Sequence, residues 1–135
     1  MAYTSQGLVK SYLGIPSGTS SENTAIDNAI AAGDAEIDQL TGRTFVVPGG
    51  ATVKTWVPYD NTVVYCDDLA QLTGLVVKTD ETLDGSYDTT LTITTDFIVS
   101  GNAGPYRSLT RVDGSPWPRD VYGRATVSVE AFYGY

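Results

Sequence analysis

The spacing of apolar residues changes once along this chain, close to residue 44, and that change limits the folds it can adopt. Upstream, small and apolar residues recur in steps of four and three on one helix face: Ile26, Ile30, Gly33, Ile37 and Leu40. Downstream, residues 90–99 and 125–133 alternate with the period of two typical of half-buried strands. Helices followed by strands predict an α+β fold, with a short and a long N-terminal helix packed on a C-terminal, mainly antiparallel β-sheet domain.

End signals define the two helices. Thr4 can cap the short helix and Gly14 ends it. Its apolar side carries Leu8, Tyr12 and Leu13. The long helix, of about 20 residues, begins near Thr19 and Glu22, which have the spacing of a capping box, and ends at Gly42.

A face of small residues runs along the long helix. It consists of Ala25, Ala29, Ala32 and Gly33. A glycine inside a helix costs about 1 kcal/mol relative to alanine, so Gly33 indicates either close approach of another backbone or a tolerated exception. We take this face as a hypothetical contact between subunits.

Six strands are predicted between turn signals, at residues 52–57, 62–66, 75–79, 90–99, 107–112 and 125–133. Asp84-Gly85 is predicted to tip a hairpin between the third and fourth of these. A chain of 135 residues fits a single domain, here with a helical part at 1–44 and a β-rich part at 45–135.

Composition argues against most catalytic chemistries. The chain has no histidine, which removes Ser-His-Asp and Cys-His catalysis and the usual zinc sites, and Cys66 is its only cysteine. A net charge of −8 repels phosphate backbones, so tight nucleic-acid binding is not expected. No basic leader or long apolar run is seen, which predicts a protein without a membrane anchor. We expect no enzyme activity, catalytic residue, cofactor or metal.

Two acidic features were tested as sites. The loop at residues 80–88 carries Asp80, Glu81, Asp84 and Asp88, but the calcium-loop position that requires a bidentate glutamate is Leu91. A solvated hairpin tip is therefore favoured, with weak cation binding left open. Asp67 and Asp68 are adjacent, and neighbouring strand residues point to opposite faces, so they do not predict a carboxylate dyad.

Two segments are rich in residue types that dominate protein interfaces. The first, at residues 104–120, contributes Tyr106, Arg107, Trp117 and Arg119, and the second, at the C-terminus, contributes Phe132, Tyr133 and Tyr135. We take these seven as hypothetical partner-binding residues. The alternative for Trp117 is that it folds back over the sheet edge, and the terminal aromatics either close the chain's own core or dock on a partner.

The order of several motifs resembles head-to-tail connector proteins of siphophages. These motifs are the Tyr3-Thr4-Ser5 start, Tyr12-Leu13-Gly14-Ile15, and the helix end at residues 35–45 with its Thr41-Gly42-Arg43 turn. Residues 67–69, 75–80, 96–97 and 104–106 are also similar to connectors of actinobacterial phages. The resemblance covers almost the whole chain, and its weight comes from the order of the motifs.

The resemblance implies a structural virion protein of the phage neck. It implies an adaptor of which about a dozen copies form a ring between the portal protein and the next neck or tail component. DNA would pass through the lumen without specific binding, and the protein would be made in the host cytoplasm. Tyr106, Trp117 and residues 132–135 would then meet the portal, and the acidic loop would face the lumen or the ring surface.

Three alternatives remain at this point. A stopper or a tail-terminator subunit is a different neck component, although such proteins are typically β-rich and lack a long N-terminal helix. A carbohydrate-binding β-rich module would use Trp56, Trp117 and the tyrosines as stacking platforms. A small hydrolase that uses carboxylates is the least favoured.

Overall fold

The computed structural model describes residues 3–43, 45 and 49–134 of the chain. The chain forms two compact units, Met1–Val46 and Val47–Tyr135, which we call the helical unit and the β unit. Within the described residues, the first contains two helices and the second contains seven strands in two antiparallel sheets. The predicted α+β fold class is therefore confirmed.

Helix α1 (Gln6–Leu13) has the end signals that its sequence predicts, displaced by one residue at the start. Ser5, not Thr4, is the N-cap, and its hydroxyl accepts a hydrogen bond from the Leu8 amide at 3.3 Å. Gly14 ends the helix in the left-handed conformation, with φ of 70°, which glycine adopts without strain.

Helix α2 (Asn23–Thr41) begins one residue after Glu22, whereas the sequence offers Thr19, Ser20 and Ser21 as caps. The capping box does not form, since Glu22 occupies the N-cap position and makes no side-chain capping bond. Thr19 lies in the preceding turn, where its carbonyl accepts a hydrogen bond from the Lys10 ammonium. The predicted C-cap is confirmed, because Gly42 has φ of 63° and its amide donates to the Asp38 carbonyl at 2.9 Å.

Polar side chains join the two helices. Gln6 Nε2 donates to Asp27 Oδ1 at 3.0 Å, and the Tyr3 amide donates to Asp34 Oδ1 at 3.2 Å. Little apolar surface is buried by comparison. Ile26 is the buried apolar side chain within α1 and α2, and Lys10 is also buried. The helical unit is thus held together mainly by hydrogen bonds along one edge.

The β unit contains two antiparallel sheets. The strands are β1 (Thr52–Trp56), β2 (Val63–Leu69), β3 (Val76–Thr79), β4 (Thr89–Leu91), β5 (Phe97–Val99), β6 (Tyr106–Arg111) and β7 (Val127–Ala131). The first sheet has the order β1-β7-β3-β4 and the second the order β2-β6-β5. The hairpin predicted around Asp84-Gly85 joins β3 to β4.

The strand predicted at residues 90–99 is wrong, because it is two strands that belong to different sheets. Between them Asp96 closes a turn: its Oδ2 accepts from the Thr92 amide at 2.6 Å, and its own amide donates to the Thr92 carbonyl at 2.8 Å. Thr94 takes a positive φ of 70° inside that turn. The alternating threonines hide this break because threonine suits a strand and a turn equally well.

One hydrophobic core joins the two sheets. Strand β7 shows the pattern clearly: Val127, Val129 and Ala131 are buried, whereas Glu130 is exposed. The core consists of these three together with Val64, Leu69, Val77, Phe97, Leu109, Trp117 and Tyr133. Both sheets therefore contribute side chains to the same core.

Candidate partner interface

Trp117 lies inside the β unit, with 1% of its surface exposed. Its indole Nε1 donates a hydrogen bond to the Thr62 carbonyl at 2.7 Å, and the Arg111 guanidinium stacks on its ring at 5.3 Å. The Trp117 amide also donates to the Asn61 carbonyl at 2.9 Å. Trp117 therefore fixes its loop to the start of β2. The hypothesis that it docks a partner is corrected, since a buried and hydrogen-bonded indole presents no surface.

Tyr133, one of the C-terminal aromatics, belongs to the chain's own core. Tyr133 is buried, its hydroxyl donates to the Val129 carbonyl at 2.8 Å, and burial raises its pKa to about 12. Its ring lies 6.5 Å from Trp56. Phe132 is half-buried beside Gly74. Tyr133 is thus corrected from a docking residue to a core residue, and Tyr135 lies outside the described residues.

The remaining predicted docking residues are accessible. Arg107 is exposed, and its Nε donates to Asp68 Oδ1 at 2.6 Å. Arg119 is exposed and Tyr106 is half-buried on strand β6. These three lie at the surface without forming one pocket, and their assignment as partner-binding residues stays a prediction.

The small-residue face of α2 is open. Ala25, Ala29 and Ala32 are exposed, and a Cβ added at Gly33 would meet no atom within 4 Å. No backbone of the described chain therefore approaches Gly33. The assignment of this face as a contact between subunits stays a prediction.

A second surface on the helical unit was not identified from the sequence. Leu8, Tyr12 and Leu13 are 65%, 91% and 59% exposed, although their spacing predicts an inward-facing apolar side. With Thr4 and Val9 they border a shallow, open depression of about 390 Å³ on one face of α1, which we call the α1 groove. Contiguous exposed apolar surface of this kind marks interaction sites in soluble proteins.

A rigid turn on the β unit exposes two further apolar side chains. Val121 and Tyr122 are about 90% and 86% exposed, and we call them the Val121–Tyr122 tip. The Asp120 carboxylate accepts from the Tyr122 amide at 3.0 Å and pairs with the Arg124 guanidinium. The hydrogen bond from the Tyr122 amide lowers the pKa of Asp120 most, and the hydrogen bond from Arg124 lowers it further. Arg124 Nη2 also donates to the Leu83 carbonyl at 3.1 Å, which ties the turn to the acidic loop.

The acidic loop is organised by its own side chains. Asp80 is buried and accepts from the amides of Asp84 at 3.2 Å and Gly85 at 2.7 Å. The Ser86 amide lowers the pKa of Asp84. Glu81 and Asp88 are exposed. The surface-facing acidic set is therefore Glu81, Asp84 and Asp88, without Asp80.

The other acidic pair is split between two partners. Asp67 Oδ2 pairs with Lys54 Nζ at 2.6 Å, whereas Asp68 pairs with Arg107. Over residues 3–43, 45 and 49–134, no group of three or more histidine, cysteine or acidic side chains is arranged to hold a metal ion. Within the same residues no helix combines the length and apolar character required to cross a membrane.

The tryptophans do not offer exposed stacking platforms for the carbohydrate-binding alternative. Trp117 is buried, and Trp56 is half-buried against Tyr133. Tyr59 and Tyr65 remain exposed, but their rings meet edge to face, with an interplanar angle of 70°. Two rings at that angle do not offer a continuous flat platform.

Comparison of the sequence with protein-family models and curated proteins, and of the structure with solved structures, finds no match.

Proposed function

We propose that this protein is a non-catalytic adaptor subunit of a phage neck. In this proposal about a dozen copies form a ring between the portal protein and the next neck or tail component. The order of motifs along the sequence supports the proposal, and so does the pairing of two N-terminal helices with a β-rich remainder.

The observation that carries the proposal is the uncovered apolar surface of the helical unit. Its large exposed side chains are Leu8, Tyr12, Leu13, Ile37, Leu40 and Phe45. A pair of helices with so little buried apolar surface gains little from its own packing, because helix stability in proteins comes mainly from tertiary contacts. A subunit that completes these contacts in an assembly accounts for this surface.

Ring assembly requires two different faces on each subunit, because cyclic contacts other than two-fold ones are heterologous. The chain offers chemically distinct surfaces: the small-residue face of α2, the α1 groove, and the Val121–Tyr122 tip. The net charge of −8 and the exposed Glu81, Asp84 and Asp88 suit a channel past which DNA slides without binding.

Docking on the portal is assigned to accessible residues. Tyr106, Arg107 and Arg119 keep this role in the proposal, together with the half-buried Phe132. Arg119→Glu should weaken binding to heads more than Lys78→Glu does, because both reverse an exposed positive charge and only Arg119 lies in the proposed contact. Equal effects of the two substitutions would remove Arg119 from the interface.

The test of the function is binding of the purified protein to tailless, DNA-filled heads of its own phage, followed by imaging of the portal vertex. The proposal predicts a new ring below the portal with several copies per head. Binding to isolated tails alone would instead indicate a stopper or terminator, and binding to neither would overturn a role in the neck.

A further inference from the structure

We draw no further inference here: the strongest candidate, the cavity of about 210 Å³ that Arg111 lines at the end of β6, carries none, because Asp113 already pairs with the Arg111 guanidinium and Nη1, the nitrogen of that group without a hydrogen-bond partner among the described residues, is itself buried, so that a molecule entering the cavity does not reach it.

Discussion

The β unit and the helical unit bury apolar surface to very different degrees. Among its described residues, the β unit encloses ten buried hydrophobic side chains, including Trp117 and Phe97, in one core that joins two sheets. In the helical unit, Ile26 is the buried apolar residue of the two helices, while Leu13 and Tyr12 face outward. One chain therefore combines a β unit with a buried core and a helix pair whose apolar side chains are largely exposed.

The difference shows that periodicity locates a helix but does not say what covers its face. The stripe on α2 was predicted from the same rule that predicts buried helices, yet Ile37 and Leu40 are 42% and 79% exposed. Helices of eight residues such as α1 are marginal in isolation. In the proposed function, contacts within an assembly would stabilise these side chains.

The largest effect on stability is expected from Trp117→Ala. Removing this buried indole leaves a cavity and the Thr62 carbonyl without its donor, and such substitutions cost about 3–5 kcal/mol. Urea unfolding monitored by the fluorescence of Trp56 would measure the change. A loss below about 1 kcal/mol would contradict a core role, since exposed substitutions fall in that range.

A matched pair of leucines compares the units directly. Leu109→Ala on β6 should lower the free energy of unfolding by about 2–5 kcal/mol, because Leu109 is fully buried. Leu13→Ala on α1 should change it by no more than about 0.5 kcal/mol in the isolated chain. Unfolding curves for both variants, followed by circular dichroism, provide the test, and similar losses would show that the helical unit has a core of its own.

The rate at which a cysteine thiol is labelled should differ between the β unit and the helical unit. Burial, and to a lesser extent the charges of Asp67 and Asp68, raises the pKa of Cys66 to about 12. Because the thiolate is the reactive form, Cys66 should react with a maleimide at pH 8 at least about a hundredfold more slowly than a free thiol. A cysteine placed at Tyr12 in a Cys66→Ser background should react at the ordinary rate. Rapid labelling of folded wild-type protein would contradict the burial of the Cys66 thiol.

The smallest effect concerns Asp113. Its hydrogen bonds with Arg111, at 3.0 and 2.5 Å, hold its pKa at about 2, below its ordinary value of 3.8. As the pH falls, the unfolded chain therefore takes up a proton at Asp113 before the folded chain does. The stabilisation that the ion pair gives the folded state is present above the ordinary pKa of 3.8 and is lost as the pH falls towards 2. The difference in urea midpoint between wild type and Asp113→Asn should shrink over that window. A difference independent of pH would show that the ion pair is not its source.

The sequence predicts where the helices end better than it predicts which strands pair in a sheet. Gly14 and Gly42 end the helices as predicted, because a left-handed residue at a helix end is a local requirement that glycine meets. The division of residues 90–99 was missed because it depends on the Asp96 side chain closing a turn. Sheet membership also depends on long-range pairing, which alternation alone does not specify.

The candidate interface was predictable only in part. Residue type selected Trp117 and Tyr133, but aromatic residues that suit interfaces also suit cores, and burial decided between these roles. Tyr122 was overlooked although Asp120, Gly123 and Arg124 around it form a recognisable turn. A polar turn with an apolar pair at its centre is the sequence signal that could have identified the tip.

The central claim is that the helical unit is completed by assembly whereas the β unit is complete in the free chain. Hydrogen–deuterium exchange of the protein, free and bound to tailless heads, tests it most directly. Amides of α1 (Gln6–Leu13) should exchange rapidly in the free protein and slowly on heads, while β7 (Val127–Ala131) stays slow in both. If α1 is already as protected as β7 in the free chain, or stays unprotected in the bound one, the account is contradicted.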